Sequence, residues 1–244
     1  MFAILKKELR SMFSSPLAYT IIGGFTFLSA IMFVFNVLLS NTSNTMYFFS
    51  SLLIIVMIVV AILSMKFFSE ERKNKTDQLL LTSPISLTSI VVGKFLSGLV
   101  VFICAIATSL LFLITVSFMG EIDWGVALGN YLGIILLGAA LISIGMYISS
   151  LTQSQLVSAI VTISVFLILM LFNSIISIVN QFMVSFPEII RTGVTNFLNV
   201  FLIYDKYQQF SFGILDISAI FYYLSIIAVF LFLTIRVLEK RRWN

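Results

Sequence analysis

The feature that most constrains this chain is a stretch without a charged side chain, residues 11–65. Over the whole chain of 244 residues, 60% are hydrophobic and only 10% are charged. Soluble domains have about 25% charged residues. A chain of this length cannot bury so much apolar surface in one globular core, so a lipid bilayer has to act as its solvent.

The apolar residues are grouped in stretches that are long enough to cross a membrane. A transmembrane helix needs about 20 mostly apolar residues, and six stretches of this sequence meet that requirement. We therefore predict an all-α membrane protein with six transmembrane helices in a single domain over residues 1–244. The predicted spans are residues 17–39, 47–67, 89–118, 128–150, 156–180 and 216–236.

Basic residues are distributed unequally around these spans. Of the 14 Lys and Arg residues, only Arg191 and Lys206 lie in connections on one side of the membrane. Because basic residues accumulate in cytoplasmic loops, we predict a multi-pass protein of the cell membrane with cytoplasmic N and C termini. The same bias accounts for the net charge of +4, so we predict no nucleic-acid partner.

Residues 1–15 have the pattern of a basic amphipathic helix. Apolar side chains from Phe2 to Phe13 recur at helical spacing on one face, and Ile4 is an exception on the polar face. A helix of this type lies at the membrane interface with its lysines toward anionic headgroups. We predict that it ends before Pro16, which follows serine in a typical helix-start signal.

The most polar stretch reads SEERKNKTDQLLLTSPIS and covers residues 69–86. Its oppositely charged residues are spaced as in a helix, and three leucines follow them. We predict a cytoplasmic segment over residues 69–83 that forms one helix of two to three turns, with the next helix starting at Pro84. It is either a solvated loop that only sets topology or a helix that docks on a cytosolic partner. The leucines favour docking, since a topology loop has no use for apolar side chains in water.

The sequence contains no motif for nucleotide binding or catalysis. Its one Gly-Lys pair, Gly93-Lys94, is followed by Phe95 instead of the Ser or Thr of a P-loop. Histidine is absent and Cys104 is the only cysteine, so the commonest general base and metal ligand are missing. We predict that the chain is not an enzyme and binds no cofactor or metal, and that ATP and Mg²⁺ are bound by another chain.

The predicted spans contain polar stripes but no charge near their middle. Asn173, Ser177 and Asn180 recur at helical spacing in span five, where they either bond to neighbouring helices or line a translocation path. The absence of ionisable residues at mid-depth counts against a carrier driven by protons or sodium. Lys66 and Lys94 lie at span ends, from which lysines snorkel to the membrane surface.

The connection over residues 181–215 is too apolar for a free loop. We predict that it forms short helices that re-enter the membrane or lie on it. Pro187 suits the start of a helix and Gly193 a break in one. The segment is either an interfacial return or a contact for a partner outside the cell.

Three stretches in this order resemble the type-2 ABC transporter permeases, and among them the gliding-motility and nitrous-oxide-reductase-maturation permeases. They are KKELRSMFSSPLAY, SEERKNKTDQLLLTSPIS and YDKYQQFSFGILDISAIFYYLS. The resemblance covers nearly the whole chain. It implies a permease that pairs with a second copy or a paralogue, and whose segment after span two is a coupling helix seated in a cytosolic ABC ATPase subunit. It also implies a translocation path near span five, an outer gate before span six, and an extracytoplasmic accessory subunit.

The resemblance therefore implies the permease subunit of an ATP-driven exporter. Two alternatives remain open, a non-transporting anchor or force-transmitting scaffold coupled to an ATPase, and an ATP-independent secondary carrier. Carried over to this sequence, the ATPase contact falls to Glu70, Glu71, Arg72, Lys73, Asp77, Gln78, Leu79 and Leu80, the path to Asn173, Ser177 and Asn180, and the outer gate to Pro187 and Gly193.

Overall fold

The computed structural model describes residues 2–40, 45–76, 85–120, 123–182 and 188–243. These residues form helices and no β-strand, and six of the helices are long and apolar enough to cross a membrane. The predicted all-α membrane fold with six spans is therefore confirmed. In chain order the helices are α1 (Phe2–Ser14), α2 (Pro16–Phe33), α3 (Met46–Ser64), α4 (Ser69–Lys73), α5 (Leu87–Met119), α6 (Trp124–Leu151), α7 (Gln155–Phe182), α8 (Glu188–Asn199), α9 (Gln208–Ser211) and α10 (Ile217–Trp243). Span one is α2 together with the π-helical segment Val34–Leu38 that continues it, and spans two to six contain α3, α5, α6, α7 and α10.

Local sequence signals explain where several spans begin. Proline at the first position starts α2 after an extended Ser15, because the missing N–H of proline costs no hydrogen bond there. Asp123 caps α6 through its carboxylate, which accepts from two backbone N–H groups of the first turn at 2.9 and 3.2 Å. Span three begins at Leu87 after an extended Ser86, so the predicted start at Pro84, which lies outside the described residues, is wrong.

Span four, α6, lies at the centre of the bundle and packs against α3, α5, α7 and α10. Glycines in α6 allow the neighbouring helices to pack closely against it. A Cβ at Gly138 would lie 2.0 Å from the Phe102 ring of α5, and one at Gly145 would lie 2.6 Å from Ser64 of α3. Small residues matter at such crossings because helices in a bilayer associate through close packing. Spans five and six are peripheral, with only 17% of their apolar windows buried against 78% for α6.

The connection before span six packs against α6 through two glycines. A Cβ at Gly129 would lie 3.0 Å from the Phe210 carbonyl oxygen, and one at Gly133 would lie 2.8 Å from Phe210 Cβ. Between these glycines Asn130 accepts a hydrogen bond of 2.6 Å from Tyr207 Oη. Burial raises the pKa of the Tyr207 phenol, so the hydroxyl stays protonated and can donate this hydrogen bond. The glycine pair thus serves contact between α6 and this connection.

The described part of the connection over residues 181–215 is built from short helices, as predicted. They are α8, a single 3-10 turn at Asp205–Tyr207, and α9. The predicted break at Gly193 is wrong, because α8 continues through it from Glu188 to Asn199. Pro187 lies outside the described residues.

Candidate functional site

The segment after span two is helical over a shorter stretch than predicted. Helix α4 has five residues, Ser69–Lys73, and Lys75 adopts a left-handed backbone with φ of 56°. A left-handed residue ends a helix, so one continuous helix of two to three turns is wrong. The predicted contact residues Asp77, Gln78, Leu79 and Leu80 lie outside the described residues.

The start of α4 is held by the end of span four. The hydroxyl oxygen of the buried Ser149 accepts hydrogen bonds from the backbone N–H groups of Phe68 at 3.1 Å and Ser69 at 3.2 Å. The first N–H groups of a helix have no partner within it, so an acceptor from another element stabilises the start. Arg72 of α4 in turn donates to the Leu151 carbonyl at 3.1 Å. Helix α4 and the end of α6 are therefore bonded at several points.

A second anchor of α4 is formed by Lys94 near the start of span three. Its ammonium lies 2.7 Å from Glu71 Oε1 of α4 and 3.3 Å from Glu8 Oε2 of α1. The ammonium also lies 5.4 Å from the centre of the Phe68 ring, within the range of a cation–π contact. We call Glu8, Glu71 and Lys94 the Lys94 cluster; it joins three helices that are far apart in sequence.

The Lys94 cluster is withdrawn from the surface. Lys94 is 1% exposed, whereas the side chains of Glu8 and Glu71 are 13% and 19% exposed. The expectation that Lys94 snorkels to the membrane surface is therefore wrong. Moving an ammonium out of water costs several kcal/mol unless it is paired, and here two carboxylates pair with it. Breaking either contact would leave buried charge without a partner.

A small polar cavity of about 170 Å³ lies beside the Lys94 cluster. Lys66, at the end of span two, lines it and donates to Ser15 Oγ at 2.9 Å, which ties span two to the junction of α1 and α2. The remaining lining residues are Lys7, Glu8, Ser11, Glu70, Glu71, Asn74, Thr76 and Lys94.

Helix α1 also packs against span three through apolar contact. A Cβ at Gly93 would lie 2.9 Å from Ile4 Cγ2, so only glycine allows this approach without a shift. This contact explains why Ile4 departs from the amphipathic pattern of α1. It faces protein, whereas Phe2 on the predicted apolar face is 80% exposed.

The C-terminal helix α10 reaches the same end of the bundle. Arg241 donates to the Ser150 carbonyl of α6. With Arg72 on Leu151, two arginines bind carbonyl groups of the last turn of α6, where positive charge is favourable. We call this end of the molecule, formed by α1, α4, the start of α5 and the ends of α6 and α10, the basic end.

Span five has buried polar residues near its start, where Thr162 bonds to Ser64 of span two at 3.5 Å, but the stripe predicted from Asn173 onward is not packed in the same way. Asn173 and Ser177 are exposed, and the Asn173 side chain has no hydrogen-bond partner among the residues that the structure describes. Asn180 is half-buried, and its Oδ1 is also without a partner in that part of the chain. Interhelical bonding among the described residues therefore does not account for Asn173 and Asn180. Asn180 lines a cavity of about 420 Å³ with Ile176, Thr192, Thr195 and Asn199.

Sequence reasoning missed the residues that organise the basic end, namely Glu8, Lys94 and Ser149. Two signals were present. Glu8 is the only acidic residue before Glu70, and it lies in a helix that is otherwise basic. Gly93-Lys94 places a flexible small residue next to a charge inside an apolar run. Among the described residues no group of His, Cys, Asp and Glu has the arrangement of a metal site.

The chain matches the model of one protein family, described as ABC-2 family transporter protein, over residues 3–243. The match includes α1, all six spans and the basic end. No curated protein matches the chain.

Proposed function

This chain belongs to the ABC-2 transporter family, and from that premise we propose that it is the permease subunit of an ATP-driven exporter. The observation that carries the proposal is the family match over residues 3–243, which includes every span. The chain itself has no P-loop, so ATP and Mg²⁺ bind on a separate cytosolic ATPase subunit. In this proposal the basic end faces the cytoplasm, as the positive-inside rule expects.

The coupling segment, residues 69–83, receives the ATPase in this proposal. Support comes from the way α4 is anchored, since Ser149 bonds it to span four and Lys94 bonds it to span three. A displacement of α4 would therefore act on two spans directly. Glu71 and Arg72 bond within the chain and hold the segment, whereas Lys73 is exposed and accessible to the ATPase.

The permease acts as a dimer with a second copy or a paralogue, and span five supplies the shared face. Support comes from the exposure of α7, which presents Asn173 and Ser177 on its open surface. Polar side chains are unfavourable against lipid tails and are found where a protein or an aqueous path covers them. The connection over residues 181–215, with Pro187 and Gly193, then closes the outer mouth or receives an extracytoplasmic accessory subunit.

The proposal is tested by co-expressing the chain with each ABC ATPase subunit of the source genome that has no transmembrane segment of its own. We expect one of them to form a stable complex in nanodiscs that contains two permease chains and hydrolyses MgATP. If none binds, the proposal is wrong. Stimulation of hydrolysis by a candidate cargo distinguishes an exporter from a scaffold that only transmits force.

Replacing Asn173 by leucine is expected to impair transport more than folding, because the exposed amide forms no hydrogen bond with another described residue. We expect transport of a cargo identified by ATPase stimulation to fall by about fivefold, with little change in melting temperature. The control is Asn36→Leu, which removes a hydrogen bond of 3.2 Å to Ser51 between spans one and two. That change should lower stability by about 0.6 kcal/mol. If Asn173→Leu reduced folding and transport equally, the assignment of Asn173 to a translocation path would be contradicted.

A further inference from the structure

The Lys94 cluster brings the N-terminal helix into contact with the segment proposed to receive the ATPase. We propose that Lys94 is a positioning residue that makes α1 part of the coupling apparatus, so that movement of α4 reaches span three and α1 together. This inference rests on the proposed function. It assigns α1 a mechanical role in addition to its predicted position at the membrane interface.

The geometry favours transmission through Lys94. The ammonium donates a hydrogen bond to Glu71 at 2.7 Å and at the same time forms an ion pair with Glu8 at 3.3 Å. Because Lys94 is 1% exposed, its charge is balanced mainly by these two carboxylates and not by bulk solvent. In such surroundings charged hydrogen bonds are strong and losing one partner is costly. When Glu71 moves with α4, Lys94 and Glu8 are therefore constrained to follow.

The neighbouring apolar contact fixes the point at which α1 is held. Ile4 packs against Gly93, one residue before Lys94, and Glu8 reaches Lys94 one helical turn further along α1. Two successive turns of α1 thus bind two successive residues of span three. The other anchor of α4, through Ser149, leads to span four and involves none of these residues.

The experiment uses the permease bound to its ATPase subunit in nanodiscs, with MgATP hydrolysis as readout. Lys94→Met retains the apolar stem and removes the charge, and Lys94→Arg retains the charge. We expect Lys94→Met to assemble with the ATPase and to lower kcat by about tenfold with an unchanged KM for ATP, because the nucleotide site lies on another chain. Lys94→Arg should restore kcat to within about twofold. The matched control is Lys6→Gln, which removes an exposed charge from α1 outside the cluster.

A covalent bridge provides a rescue that a purely structural role would not give. Ser11 and Asn74 line the same cavity beside the Lys94 cluster, on α1 and directly after α4. In a Cys104→Ala background, a bis-maleimide that forms one thioether with Ser11→Cys and one with Asn74→Cys should raise kcat of the Lys94→Met complex by about fivefold. The proposal would be overturned if the Lys94→Met complex had the wild-type kcat. It would also be overturned if kcat stayed low both in Lys94→Arg and in the cross-linked Lys94→Met complex.

Two further measurements keep the test decisive. If Lys94→Met does not fold, the triple variant that also carries Glu8→Gln and Glu71→Gln is used, because it removes the unpaired charges. We expect this triple variant to fold and to have a low kcat. A wild-type kcat in the triple variant overturns the proposal. The cross-linking yield of the Ser11→Cys and Asn74→Cys pair, measured on the permease without ATPase, should fall by about fivefold in Lys94→Met. Equal cross-linking yields in the wild-type and Lys94→Met permeases would show that Lys94 does not hold α1 against α4, which overturns the proposal. Failure of the wild-type chain to bind any ATPase overturns only the proposed function.

Discussion

Replacing Leu79 and Leu80 together by aspartate is expected to abolish binding of the ATPase subunit while the permease still inserts and folds. The two leucines follow a charged stretch in the coupling segment, and no purpose of membrane topology requires them. In the proposed complex they enter a groove on the ATPase, as apolar anchors of docked helices do. Burying two carboxylates at the centre of such a contact should weaken it by about 100-fold or more. The measurement is the dissociation constant of the complex in nanodiscs.

The matched control for this change is Ile85→Asp. Ile85 lies in the same connection between spans two and three and is 41% exposed, but it is outside the predicted contact. We expect Ile85→Asp to leave the dissociation constant within about threefold of the wild-type value. Unchanged binding of the double aspartate variant would show that the segment after span two does not receive the ATPase, even if the ATPase binds elsewhere.

The spans were predictable from sequence because a single property, apolar length, determines them. Span four was predicted at residues 128–150 and is observed as Trp124–Leu151; span five was predicted at residues 156–180 and is observed as Gln155–Phe182. The last helix differs more, since it continues to Trp243 although the apolar run ends near residue 236. Helical backbone extends beyond the apolar core there, and Arg241 bonds to the end of span four.

The basic end was not predictable because its contacts join residues that are distant in sequence. Ser149 holds the start of α4 from a separation of 80 residues, and no local pattern reports such an acceptor. Lys94 was interpreted as a snorkelling lysine because its position near a span end suits that role. Its actual environment depends on where α1 packs, which is determined by Gly93 and Ile4. The spacing of Glu71 and Lys75 is typical of a pair within one helix, but Glu71 binds Lys94 of span three.

Glycines show the same difference between local and tertiary information. Gly193 was expected to break a helix because glycine has a low helix propensity, yet α8 continues through it. Gly138 lies in the middle of span four, and the sequence gives no sign that its missing side chain is essential. In the structure a Cβ at Gly193 would meet nothing within 4 Å, whereas one at Gly138 would overlap the Phe102 ring. Only the second glycine is required by packing.

Gly138→Ala is therefore expected to destabilise the bundle, because its Cβ would lie 2.0 Å from the fully buried Phe102 ring. Overpacking of this kind costs about 1–3 kcal/mol or more, and spans three and four would have to separate to relieve it. Gly193→Ala is the matched control, and we expect it to be neutral or to stabilise by up to about 1 kcal/mol through helix propensity. The measurement is the free energy of unfolding in detergent, together with the melting temperature in nanodiscs. Adding Phe102→Leu to Gly138→Ala should recover part of the lost free energy of unfolding, since the smaller side chain makes room for the new methyl group. Equal stability of the two alanine variants would contradict the close crossing of spans three and four at Gly138 and Phe102.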